Sequence, residues 1–161
     1  MRWASLGSTI QLSSDGPPGK AGKGRSAMDR QDLSKEAKSL GMPWEEQYGY
    51  SQAVKAGDSI YLSGQVSHDD EGNILGVGDM EVQMRQAYAN IQKVLTQYGA
   101  TMDNLVEEHL FVTDMEAAFA AAVKIRREVF SGFPTIASTI VQIQRLAFPE
   151  FMIEISCIAK V

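Results

Sequence analysis

Between positions 80 and 98 apolar side chains recur every three or four residues: Met84, Ala87, Tyr88, Ile91, Val94, Leu95 and Tyr98. That spacing lines one face of an α-helix and predicts a helix buried along it. Asp79 stands where a carboxylate can cap the first free amides, and Gly99 stands where the chain must leave the helix. A second helix is expected from Met115 or Glu116 to about Phe130. Phe119, Ala122, Val123, Arg126, Val129 and Phe130 fall roughly on one side of it, and Gly132 and Pro134 end it. Elsewhere the period is two. Residues 51–54 and 59–66 read as a hairpin around Ala56-Gly57-Asp58, and 105–113 as a strand centred on Leu110-Phe111-Val112. Residues 138–146 set Thr139, Val141 and Ile143 against Ser138, Ile140, Gln142 and Gln144. Residues 151–159 set Phe151, Ile153, Ile155 and Cys157 against Met152, Glu154, Ser156 and Ile158. Residues 33–44 read as a short helical turn ended by Gly41 and Pro43, residues 67–78 as a polar, glycine-rich loop, and 101–104 as a turn.

The order hairpin, helix, strand, helix, strand, strand predicts an α+β domain with two helices on one face of a mixed sheet. The other face carries Ile140, Met152 and Ile158 among polar residues. A semi-apolar face on a small domain points to burial against another subunit. The 161 residues suit one domain, and 44% hydrophobic residues suit a globular chain. No apolar stretch approaches the roughly 20 residues that span a bilayer. The single cysteine, Cys157, forms no internal disulfide, which fits a reducing, cytoplasmic setting. Its alternation places it in the core rather than at a nucleophilic site.

The formal charge of −5 averages two segments: residues 1–30 carry +3 and the remainder −8. The first is a basic leader rich in Gly, Pro and Ser, expected to lack regular structure. It reads as a remnant or an upstream start, with a transit peptide as the alternative. Residues 31–161 are the expected domain. An acidic body without a basic or aromatic stripe argues against nucleic acid as a partner. His68 and His109 lie far apart with no ligand cluster, so no metal is expected. GVGD at 76–79 lacks the phosphate-loop pattern and a following lysine, and no cofactor is expected. Glu107, Glu108, Asp114 and Glu116 are expected on a solvated face.

Four segments carry a resemblance: YSQAV at 50–54, YLSGQV at 61–66, GATMDNLVEEHLFVTDM at 99–115 and QRLAFPEFMIEISCIA at 144–159. In that order they closely resemble the YjgF/Rid family, over nearly the whole body. The resemblance implies a chorismate-mutase-like α+β fold, a homotrimer and small-molecule clefts between neighbouring subunits. The best-known members of that family hydrolyse reactive imines and enamines derived from amino acids to ketones and ammonia. Some homologues are described as ribonucleases or translation inhibitors. The family's site residues match at Tyr50, at Ser63-Gly64-Gln65 and at Glu154. Two do not match. The arginine that holds the substrate carboxylate in active imine deaminases falls at Ser138, between Ala137 and Thr139, and an asparagine of the second helix falls at Val123. Arg145 matches a different, structural arginine.

Imine hydrolysis needs a water, a group to orient it and a proton for the leaving nitrogen. Glu154 suits the first task if burial raises its pKa. The main chain at Ser63-Gly64 suits a close backbone approach to substrate. Without the arginine a carboxylate substrate loses a bidentate, charge-assisted contact. Ser138, Thr139, Ile140 and Gln142 are then expected to bind substrate, and the side chains of Ser138, Thr139, Gln142 and Gln144 suit an amide, hydroxyl or carbonyl. The expected activity is deaminase-like hydrolysis of a small imine, enamine or similarly activated metabolite. Its substrate is neutral, or has its acid group held otherwise than in the ordinary imino-acid enzymes. A non-catalytic, ligand-binding trimer is the alternative from a different class, and an endoribonuclease a weaker one.

Overall fold

Two aspartates start the long helices, Asp79 as its position predicts. Asp79 accepts a hydrogen bond from the Val82 N–H at 3.1 Å and Asp114 from the Ala117 N–H at 3.0 Å. The helices they cap are α2, Met80–Thr96, and α3, Met115–Val129. A computed structural model describes residues 34–132 and 135–161, so the expected leader lies outside the described residues. The other elements are β1 (Lys35–Lys38), α1 (Pro43–Tyr48), β2 (Ala53–Ala56), β3 (Ser59–Gln65), β4 (Leu105–Val112), β5 (Ala137–Gln142) and β6 (Ile153–Lys160). They form one six-stranded sheet in the order β1-β2-β3-β6-β4-β5. Only β4 and β5 run parallel, joined through α3; the other pairs are antiparallel.

The core lies between the sheet and the two long helices. Met84, Tyr88, Ile91 and Leu95 of α2 pack with Ile60, Leu110, Ile153 and Ile155 of the sheet, all essentially without solvent contact. Cys157 joins them, and burial pushes its thiol up to about 12, which leaves it no thiolate at neutral pH. The sequence reading of α2 and of the two faces of β6 holds, and the expected hairpin forms with its first strand shifted to Ala53–Ala56 and its turn confined to Gly57-Asp58.

Four expectations are corrected. Lys35–Lys38 is an edge strand on β2 rather than part of a helical turn, and a helix begins only at Pro43. Four residues cannot sustain a helix alone, whereas the open edge of β2 offers them a ladder. On α3 the buried stripe is Ala118, Ala121 and Ile125, while Phe119 and Val123 are exposed. Alanines all round this helix blur its periodicity. Glu108 is fully buried rather than solvated, because it shares the inward phase of Leu110 and Val112. The fourth correction is the phase of β5. Its register pairs Ser138 with Glu108, Ile140 with Leu110 and Gln142 with Val112. These three therefore face the helices, and Thr139 and Val141 face the side that carries Glu154.

Candidate functional site

Glu154 pairs with Phe111 across the ladder and points to the face away from the helices. Opposite its strand, β3 carries a bulge. Leu62 pairs with Cys157 and Gln65 with Ile155, so Ser63 and Gly64 together face Ser156. The bulge brings the Gly64 backbone under the Glu154 carboxylate. A Cβ at position 64 would sit 1.8 Å from Glu154 Oε1. Glycine is required there by this approach, since its φ lies outside the left-handed region. Ser63 is held by its neighbours: its N–H donates to the Gln52 carbonyl at 2.9 Å and its hydroxyl to the Ser51 carbonyl at 2.7 Å. The Ser63 amide is thus already committed and cannot orient a substrate.

Above this floor lies a cleft of about 570 Å³, a size that suits a small organic molecule. Its walls are aromatic: Trp44 and Tyr48 from α1, Tyr50 just after it, and Phe148 and Phe151 ahead of β6. The Trp44 ring packs over Gly72, where a Cβ would come within 2.8 Å of it. It meets the His68 ring edge-on at 5.2 Å.

Two carboxylates near the cleft differ in their partners. Glu45 of α1 is buried, and burial works to raise its pKa. Hydrogen bonds from Ser39, Gln52 and the N–H groups of Leu40 and Met42 outweigh that and hold it below the ordinary value. Glu154 is half-buried and accepts no hydrogen bond from any described residue, and desolvation raises its pKa. No Lys, Arg or His lines the cleft among the described residues. Burial also pushes the Tyr50 phenol above its ordinary value. Glu154 is a bare carboxylate in an apolar hollow, and desolvation there favours its neutral form.

Of the expected site residues, the structure brings Tyr50, Ser63, Gly64 and Glu154 into this cleft. Gln65 is turned away from it. Its amide is buried and donates to Gln52 Oε1 at 2.7 Å and to the Ser63 carbonyl at 3.0 Å, which ties the bulge to β2. Thr139 shares the sheet face of Glu154 but lies outside the cleft. Gln142 accepts from the Met115 N–H at 3.3 Å at the start of α3.

Ser138 and Ile140 line a second hollow, of about 680 Å³, between α3 and β5, walled also by Phe119 and Val123. Val123 and Ser138, the two positions expected from the resemblance not to match, therefore line one groove. Sequence reasoning missed what else is there. Arg126 of α3 lines the groove and donates from Nη1 to Ser138 Oγ at 3.3 Å. The same nitrogen is ion-paired with the buried Glu108, whose other oxygen accepts from the Tyr88 hydroxyl at 2.9 Å. The guanidinium lies 5.3 Å from the Phe130 ring centre. A signal was present: Glu108 alternates with Leu110 and Val112, and a glutamate in that phase needs a buried partner.

A family model described as "Endoribonuclease L-PSP" matches residues 44–161. Among curated proteins, "RutC family protein YjgH" of Escherichia coli (strain K12) is 32% identical over 115 residues, covering 71% of this chain and 85% of that protein. A "2-iminobutanoate/2-iminopropanoate deaminase" of Dermatophagoides farinae is 34% identical over 86 residues, 53% of this chain and 66% of that protein. Among solved structures, Rv2704 of Mycobacterium tuberculosis, of the YjgF/YER057c/UK114 family, superposes with TM-score 0.69 at 27% identity, covering 80% of this chain and all of that one. The Rid protein YyfA of Yersinia pestis superposes with TM-score 0.68 at 28% identity over the same shares.

Proposed function

Since the chain belongs to the endoribonuclease L-PSP family, the YjgF/Rid proteins, we propose that it is a homotrimeric hydrolase of a small imine, enamine or similarly activated metabolite. The observation that carries this reading is Glu154. It is a desolvated carboxylate without a counter-ion, laid over Gly64 at the floor of an aromatic cleft. In the proposed step Glu154 takes a proton from water as the water oxygen bonds to the imine carbon. The C=N π pair moves to nitrogen, which takes the proton back from Glu154 and gives a neutral carbinolamine. Glu154 then carries the hydroxyl proton to the amine as the C=O bond forms, the C–N bond breaks and ammonia leaves. An imine carbon is electrophilic already, so the site needs no covalent nucleophile. The apolar walls exclude bulk water and keep the carboxylate pKa raised.

Family clefts lie between neighbouring subunits. We therefore assign the Tyr50–Glu154 cleft and the α3–β5 groove to opposite walls of one intersubunit site. Residues 137–139 carry no arginine, so the substrate is not held as an ordinary amino-acid-derived imino acid is. The test is ammonia release from imines generated in situ, comparing the wild type with Glu154→Gln. The expected loss is about 10²- to 10⁴-fold in rate. Full activity in the variant, or no turnover by the wild type on any imine of the panel, overturns the reading.

A second reading, a ligand-binding trimer without turnover, is favoured by the apolar Val123 where the family has an asparagine. It predicts ligands that raise the melting temperature without release of ammonia.

A further inference from the structure

We propose that the α3–β5 groove binds an organic acid with an apolar body, its carboxylate held by the guanidinium of Arg126. The first observation is how Arg126 is held. Its bonds to Glu108 and to Ser138 Oγ both fall on Nη1. Even with the nearby Tyr88 hydroxyl counted as a third partner, two of the five N–H donors of the fixed guanidinium fork are left over among the described residues. The side chain is 22% exposed, and the groove is where that exposure occurs.

The second observation is preorganisation. Glu108, the Tyr88 hydroxyl, Ser138 and the Phe130 ring hold the guanidinium from behind and from the side. A flexible side chain fixed in this way has already lost the rotamer freedom that binding would otherwise cost. The third is charge. Glu108 balances one cation, and the exposed Arg127 adds a second at the rim, so the groove keeps a net positive charge. The fourth is shape. Phe119, Val123 and Ile140 give an apolar wall facing this cationic end, inside a hollow of about 680 Å³. A fork of free donors, a net positive charge and an apolar wall are the features that recognise a carboxylate on a hydrophobic body. Ser138 leaves the strand position without a cation, and Arg126 reaches the same place from the helix.

That this acid is part of the substrate rests on the hydrolase reading above; the binding itself does not. The experiment measures affinity of the intact protein for 3-phenylpropionate and for its uncharged amide, 3-phenylpropionamide, by titration calorimetry. The wild type is expected to prefer the acid by about tenfold or more, as a charge-assisted contact requires. Arg126→Gln alone leaves Glu108 buried without its partner and risks misfolding. The decisive variant is therefore Glu108→Gln with Arg126→Gln, which removes both charges together, its folding checked by its unfolding midpoint. In it the acid-to-amide ratio is expected to fall to about one, and Arg126→Lys, which keeps the charge but not the fork, to lie between. Equal binding of acid and amide by the wild type, or an unchanged ratio in the folded double variant, overturns the proposal. The same measurement in Glu154→Gln separates the two readings. Acid preference in a wild type that turns over no imine counts against the hydrolase alone. Glu154-dependent turnover without acid preference counts against the groove alone.

Discussion

Glu154 lies at the cleft floor and Glu45 on α1, the helix that supplies part of the cleft wall, and their partners make them different groups. Glu45 is surrounded by donors and held below its ordinary pKa; Glu154 has none and is raised by desolvation. The linkage has a definite sign. Between its unfolded and folded pKa values Glu154 binds more protons in the folded state, so its contribution to stability falls as pH rises through that window. Glu154→Gln is thus expected to be the more stable protein at neutral pH. The difference should disappear as pH falls to the ordinary carboxylate value near 4.5, followed by thermal unfolding across pH. Gly64 makes the arrangement possible. Gly64→Ala puts a methyl group on the Glu154 carboxylate and should cost about 1–3 kcal/mol in chemical denaturation while displacing Glu154 from the cleft floor. Both residues were legible beforehand, Glu154 from alternation and resemblance and Gly64 from its motif. The bareness of Glu154 was not, because it depends on which donors three separate elements bring near.

At the level of elements, the start of α2 was plain in the sequence because its cap acts within one turn, and Asp114 caps α3 in the same way. Asp79→Ala and Asp114→Ala should each lower stability by about 1 kcal/mol in urea unfolding, and additively, since the two caps belong to different helices. The tie between α3 and β4 was not visible in this way. Arg126→Met leaves Glu108 charged and unpaired in the core and should cost about 3–5 kcal/mol. Adding Glu108→Leu should restore most of that loss, read from the same denaturation curves. The faces of α3 and β5 went astray for one reason. Alternation and helical period tell which residues share a face, but the partner element decides which face is covered. Parallel pairing with β4 set the phase of β5, and alanines on several sides of α3 left its buried stripe open.

On the scale of the whole molecule, the two hollows lie on opposite faces of one sheet, Glu154 on the open face and Ser138 on the helix side. One copy therefore does not bring them together, and the intersubunit arrangement proposed for the cleft requires a closed ring of copies. Sedimentation equilibrium should give three chain masses; a monomer at micromolar concentration would refute the shared cleft. Residues 31–161 carry −8, and neither hollow presents a basic stripe. The sequence by itself determined what depends on neighbours along the chain: both long helices, the β2–β3 hairpin, the two faces of β6, the single buried cysteine and, through its motifs, the family. Tertiary structure decided what depends on contacts between distant segments: the β1 edge, the phase of β5, the burial of Glu108 and the arrival of Arg126 at Ser138. Local rules act over a few residues, whereas Arg126 and Glu108 lie on different elements, and only their packing brings a cation beside Ser138.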